Sequence, residues 1–191
     1  MTALASSQFK IAFIGTHGVG KTTLCFGLAA RLKRRDVPLE VVYEIARRCP
    51  LPINKDTNIA AQSWILHTQI SEEVLAAARY PVVLCDRSVL DNFVYLLLST
   101  GGRTGVVPIV DYWIDTYDLL VHVPAVDPPQ PDGFRSGDPA FQKLVESRLE
   151  SEIERRSLTP LRLQGENRES WLDEVEEVIW ERFQPVQLPL L

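Results

Sequence analysis

Short apolar runs alternate along this chain with longer stretches in which apolar residues recur every three or four positions. The first pattern predicts strands and the second predicts helices. Phe9–Ile14 (FKIAFI) predicts a strand, bounded by Gly15. Lys21–Arg35 predicts a helix with Leu24, Leu28 and Leu32 on one face. Pro38 ends that unit, and Leu39–Tyr43 predicts a second strand. Asn58–Arg79 predicts a helix with Leu66, Ile70 and Val74 in register. Pro81 precedes Val82–Cys85, a continuous apolar run suited to a parallel strand buried on both faces. Ser88–Ser99 predicts a helix closed by Gly101 and Gly102, and Leu119–Val123 a fourth strand. Phe141–Arg156 predicts a charged helix. Leu158–Leu163 predicts a fifth strand, with Pro160 at its start or on a sheet edge because proline cannot donate to a ladder. Arg168–Phe183 predicts a last amphipathic helix with Leu172, Val175 and Ile179 inward. Strands separated by helical crossovers imply an α/β fold with a parallel sheet covered on both faces.

One segment breaks the pattern. Pro124–Pro139 holds five prolines and two glycines and reads as a mobile excursion. Too little chain follows it to build another core, so residues 1–191 are expected to form a single domain. Composition adds exclusions. The chain is 46% hydrophobic and 24% charged, as globular proteins are, and its net charge of −5 disfavours generic binding to nucleic acid or an acidic membrane. Cys25, Cys49 and Cys85 are odd in number and form no CxxC pair, which predicts reduced core residues rather than disulfides or a zinc site. The first eight residues lack the basic and apolar regions of a signal peptide. Runs such as Val94–Leu98 fall far short of the ~20 residues that span a bilayer. A cytoplasmic protein is expected.

The strongest chemical signal is Gly15-Thr16-His17-Gly18-Val19-Gly20-Lys21-Thr22, which fits G-x-x-x-x-G-K-[ST] between a strand and a helix. The glycines let the backbone curl so that its N–H groups point at phosphate oxygens, and the helix N-terminus adds partial positive charge. Lys21 can bridge the β- and γ-phosphates, and the Thr22 hydroxyl can coordinate Mg²⁺. The expected nucleotide-binding set runs from Gly15 to Thr22 and on to Thr23 in the first helical turn. His17 reads as a tolerated variable position of the loop. Asp86 follows the Val82–Cys85 run, at the strand end where ligands of open α/β sheets bind, and is a candidate Mg²⁺ ligand with Thr22. It, or Ser88, can also cap the following helix. Glu44 stands at the end of the second strand for the same reason and can accept a proton from a substrate hydroxyl, or pair with Arg47 or Arg48. Asn54-Lys55-Asp56-Thr57 misses the spacing of a guanine-reading motif. Trp64, Tyr112 and Trp113 are better assigned to packing than to stacking on a ring substrate.

Taken together, Gly15–Thr22, Tyr43-Glu44-Ile45-Ala46-Arg47 and Cys85-Asp86-Arg87-Ser88-Val89-Leu90-Asp91 resemble the P-loop kinases of nucleosides and nucleotides. More narrowly, they resemble the AAA-type P-loop kinase family that includes the ribosylnicotinamide kinase domain of a bacterial NAD-biosynthesis regulator. The resemblance spans about residues 9–183. It implies a three-layer P-loop fold with a five-stranded parallel sheet in the order 2-3-1-4-5 and a lid over about residues 124–157. It implies ATP and Mg²⁺, with a small, nucleoside- or nucleotide-like acceptor. Asp86 would organise Mg²⁺ or the acceptor, Arg87 would touch acceptor or phosphate, and Glu44 would be the base. Asp91, one turn after Arg87, would support it through an ion pair. Arg135, between the lid glycines Gly133 and Gly137, would reach the transferring phosphoryl group. Arg148, Arg155 and Arg156 read as a solvated helix face. Gln164-Gly165-Glu166-Asn167 would lie against the nucleotide base. The expected activity is ATP-dependent phosphotransfer to a small molecule. The alternative is a regulatory nucleotide-binding protein or ATPase without small-molecule phosphotransfer. A homodimer is compatible with either reading.

Overall fold

The computed structural model describes residues 8–53, 57–101, 105–128 and 137–183. Its centre is β1 (Phe9–Ile14), buried at every position. β1 pairs in parallel with β3 (Val82–Asp86) on one side and with β4 (Leu119–His122) on the other. Beyond β3 lies β2 (Leu39–Val42), and beyond β4 the two-residue β5 (Leu161–Arg162). The sheet order is therefore β2-β3-β1-β4-β5, as expected. Pro160 precedes β5 on a sheet edge, where its missing N–H costs no ladder bond.

Side chains alternate across a strand, and β1 divides its residues between two cores. Ile11 and Phe13 join Leu24, Leu28 and Leu32 of α1 (Lys21–Lys33) and Val175 and Ile179 of α6 (Trp171–Arg182). Ala12 and Ile14 face the other layer. That layer is built by α2 (Ile59–Ala77), α3 (Val89–Thr100), α4 (Val107–Ile114) and α5 (Pro139–Arg155). Local signals set the helix ends. Asn58 caps α2 by accepting the Ala61 N–H at 3.0 Å, and Gly101 ends α3 in the left-handed conformation. Among the described residues no helix is long and apolar enough to cross a membrane.

Three expectations need correction. α2 does not turn Val74 inward: that residue is exposed, and the buried face carries Gln69 and the fully buried Glu73 beside Ile65 and Leu66. The reason is Lys10, the one charged residue in β1. Its ammonium donates to Glu73 Oε2 at 2.9 Å and lies 4.6 Å from the ring centres of both Trp113 and Tyr117. Glu73 also accepts from Trp113 Nε1 (2.7 Å), Tyr117 Oη (2.7 Å) and Gln69 Nε2 (2.8 Å). α4 was not foreseen; eight mostly apolar residues give too little periodicity, yet it brings Trp113 to this network. Finally, the arginines of α5 and its end are ion-paired: Arg148 and Arg155 remain open to solvent as expected, and only the Arg156 side chain is withdrawn from it. Arg148 and Arg155 bond Glu152, and Arg156 packs 5.1 Å over Phe93 and donates to Asp111 at 2.7 Å. Cys25 and Cys85 are buried free thiols, as expected, and Cys49 is a half-buried one.

Because Glu73 is the carboxylate of a buried pair, Glu73→Leu should lower unfolding free energy by about 3–5 kcal/mol by stranding the Lys10 ammonium. Adding Lys10→Met should restore part of that loss. Urea unfolding of the two proteins checks both outcomes.

Candidate functional site

The loop from β1 to α1 is shaped by positive φ at Gly15 (142°), Gly18 (79°) and Gly20 (94°), a backbone region that side chains resist. Gly15 has a second constraint, since a Cβ there would lie 2.5 Å from the Val123 carbonyl oxygen. Val19 turns into the core beneath, whereas Gly18 faces solvent. Lys21 folds back over the loop and donates to the carbonyls of Gly15 (2.8 Å) and Thr16. Burial, followed by the charge of Arg87, lowers the Lys21 pKa to about 7, against the pull of Asp91, Asp86 and Glu44. An arriving polyanion would offset that burial and favour the ammonium. Thr23 is exposed on the first turn of α1.

At the end of β3, Asp86 Oδ2 accepts the Thr22 hydroxyl at 2.6 Å. Asp86 is 2% exposed, yet its Oδ1 has no hydrogen-bond partner among the described residues. A buried, unpartnered carboxylate oxygen beside a hydroxyl suits a hard divalent cation, so Thr22 and Asp86 are the residues that could hold Mg²⁺. A second cluster joins His122 at the end of β4 to Glu146 and Glu150 of α5. There Arg162 occupies Glu150 through both Nη atoms (2.6 and 2.8 Å), which makes it an ion-pair cluster.

Arg87 follows with φ 101°, a left-handed conformation costly for a non-glycine residue. That turn swings its buried guanidinium onto Glu44, with Nε donating to Oε1 at 2.8 Å. Glu44 Oε2 accepts from Arg47 Nε at 2.9 Å, so the pairing with Arg47 and the position at the strand end coexist. Burial opposes the Arg87 charge, but Glu44 and the neighbouring Tyr95, Asp91 and Asp86 outweigh it and hold the group above its ordinary range. Arg87 Nη1 is buried and has no partner among the described residues.

Asp91 does not make the expected ion pair with Arg87. Its Oδ2 accepts the Ser88 N–H (2.9 Å) and hydroxyl (2.8 Å), closing a capping box at the start of α3. Its Oδ1 accepts the Gly15 N–H at 3.0 Å. One carboxylate thereby ties the phosphate loop to the Asp86-Arg87-Ser88 turn. The S-x-x-D spacing signalled the cap, but nothing in the sequence signalled the bond to Gly15.

Other contributors carried no sequence signal. Tyr95 lies under the Arg87 guanidinium at 5.1 Å and meets His17 Nδ1 at 3.2 Å. His17 is buried against Phe141, ring centres 5.9 Å apart. From α5, Gln142 Nε2 donates to the His17 carbonyl (3.1 Å), while its own carbonyl accepts the Thr16 hydroxyl (3.3 Å). The second half of the expected lid is thus packed on the phosphate loop. Arg135 and Asn54-Lys55-Asp56 lie outside the described residues. Trp64 and Trp113 are partly buried against the core, in line with the packing assignment, whereas Tyr112 is exposed and does not share it. Gly165–Asn167 forms a short 3₁₀ turn before α6.

A family model described as an AAA domain matches residues 10–170. The chain belongs to that AAA domain family. No curated protein sequence matches the chain. Solved structures share the fold of this AAA domain at low identity. A NadR protein in complex with NR superposes with TM-score 0.74 and 17% identity over 95% of this chain, which spans only 54% of that one. A deoxyadenosine kinase from M. mycoides with dCMP and a flexible dCDP bound gives TM-score 0.63 and 15% identity, covering 91% of this chain and 100% of that one. The same kinase with bound dATP gives 0.57 and 14%, covering 90% and 99%. The AAA domain therefore has the P-loop kinase fold, and these proteins are similar to it in fold.

Asp91→Ala removes a cap and leaves the Gly15 N–H unsatisfied, and is expected to lower stability by about 2–4 kcal/mol. The same change should weaken MgADP binding by loosening the loop. Urea unfolding and calorimetric titration of one preparation measure both.

Proposed function

We propose that this AAA domain is an ATP-dependent phosphotransferase acting on a hydroxyl of a small, nucleoside- or nucleotide-like acceptor. The observation that carries the reading is the buried Glu44–Arg87 pair beside the phosphate loop, with Arg87 Nη1 left unpartnered among the described residues. Nucleotide hydrolysis alone has no need of a second buried charge pair at the neighbouring strand end. A buried guanidinium nitrogen without a partner is costly, and an anionic or hydroxyl-bearing ligand would satisfy it. The fold likeness to a deoxyadenosine kinase and to a NadR protein in complex with NR supports the same class of acceptor.

In this reading the loop amides from Gly15 to Thr23 cradle the nucleotide phosphates, and Lys21 supplies a cation to them. Thr22 and Asp86 would hold Mg²⁺, which when bound neutralises developing phosphate charge. Glu44 accepts the hydrogen bond of the acceptor hydroxyl and takes its proton as the new O–P bond forms and the bond from the γ-phosphorus to the β–γ bridging oxygen breaks, ADP leaving with that oxygen. Arg87 Nη1 binds the acceptor or the phosphoryl group in transit. Arg135 is proposed to add a second guanidinium from the lid.

The test is ADP release from MgATP with and without a panel of nucleosides and cofactor precursors. Slow release alone and at least about tenfold faster release with one acceptor is expected. Lys21→Ala should abolish both, and Arg87→Ala should remove the acceptor stimulation while nucleotide still binds. A wild-type protein that binds nucleotide tightly but is stimulated by no acceptor would instead be the regulatory nucleotide-binding protein.

A further inference from the structure

Two loops bracket the start of α1, and one side chain joins them. The first loop leaves β4: its Val123 carbonyl abuts Gly15, and Asp127 lies four residues further on. The second is the turn Gly165–Asn167 that leads into α6, followed by Arg168. The loops touch each other, since a Cβ on Gly165 would lie 3.2 Å from Val126 Cγ2. Arg168 Nη1 donates to Asp127 Oδ2 at 3.0 Å. Its other terminal nitrogen, Nη2, faces Gly20, 3.4 Å from where a Cβ would stand. The guanidinium lies 5.6 Å from the ring centre of Trp171, which is buried and anchored by Nε1 to the Gln164 carbonyl at 2.8 Å.

Gly20 is the residue at which the phosphate loop enters α1, with Lys21 and Thr22 immediately after it. The buried Asp86 faces the same loop with an unpartnered oxygen. A cationic fork therefore stands beside the loop, held against an aromatic ring, with one nitrogen on an exposed carboxylate. The Arg168 and Asp127 side chains are 53% and 66% exposed, so their bond is the kind that water and salt reduce to little. A polyphosphate carries more charge than one carboxylate and matches the planar fork better.

We infer that Arg168 is a further nucleotide-binding residue, which exchanges the Asp127 carboxylate for a phosphate oxygen when nucleotide seats on the loop. The inference rests on the phosphate-loop reading above. It assigns the two partners opposite roles. Arg168 favours the bound state, whereas Asp127 competes with the ligand for the same guanidinium.

Calorimetric titration with MgADP and with magnesium pyrophosphate tests it. Arg168→Ala should weaken both ligands by about tenfold, the loss of one charge-assisted contact. Asp127→Asn should tighten both by about two- to fivefold, because the competing charge is gone. Thermal unfolding without ligand should leave both variants close to wild type, and Arg168→Gln serves if the alanine variant unfolds. Weaker MgADP but unchanged pyrophosphate would overturn the phosphate contact in favour of the base or ribose. Weaker binding in Asp127→Asn would make the pair a structural brace and overturn the exchange, as would unchanged affinities in all variants. Wild-type protein that binds neither ligand would remove the phosphate-loop reading itself, a failure distinct from loss of the Arg168 effect alone.

Discussion

Asp91 is the residue on which the site depends. Its two oxygens serve separate parts of the chain: one receives the Gly15 N–H and the other receives Ser88. Gly15 opens the phosphate loop, and Ser88 follows directly on Asp86 and Arg87. β1 and β3 are already adjacent in the sheet, but strand pairing fixes backbones only to their ends. Beyond Ile14 and Asp86 each chain turns away, and a bond between the two turns is needed to hold the phosphate loop against the acidic strand end. The Thr22 hydroxyl bond to Asp86 makes a second tie across the same gap. A carboxylate is suited to the first, because it can accept from both turns at once and a buried N–H left alone is expensive.

That arrangement concentrates charge where water is scarce. Lys21, Glu44, Asp86, Arg87 and Asp91 are all buried, in a chain whose net charge is −5. Isolated, any of them would be costly to bury. Together they set two cations against three carboxylates, and the strain at Arg87 is one consequence, since its φ of 101° brings the guanidinium to Glu44. Among the described residues, Asp86 Oδ1 and Arg87 Nη1 are two of several buried side-chain atoms without a hydrogen-bond partner, and they belong to neighbouring residues of opposite charge. An adjacent acceptor and donor of this kind suit a ligand that brings both a cation and an anion.

The sheet was legible in the sequence because buried parallel strands are uninterrupted apolar runs, and the phosphate loop because its glycines and lysine are fixed by backbone geometry. β1, β3 and the start of α1 fall at the expected residues. The meeting of Thr22 with Asp86 was foreseen, but most other partnerships made across the fold escaped. Helical spacing assigned Val74 to the core, since it has no means of knowing that Lys10 on β1 requires Glu73 inward. The four-residue spacing from Arg87 to Asp91 suggested an ion pair, while the capping box and Gly15 claimed the carboxylate. Tyr95 and Gln142 act through contacts with residues 78 and 125 positions away, a separation that no local pattern records.

The segment between β4 and α5 takes its meaning from its two ends. At one end Asp127 is bonded to Arg168 beside Gly20. At the other, Asp138 caps α5 by accepting the Ala140 N–H, and one turn on Gln142 holds the His17 carbonyl. One end therefore reaches a side chain that stands beside the phosphate loop, and the other is hydrogen-bonded to the loop itself. A phosphate that displaced Asp127 from Arg168 would release one anchor while leaving the other in place. The exposed ion pair suits that role because little energy is needed to break it, whereas the buried contacts of α5 are the ones that persist.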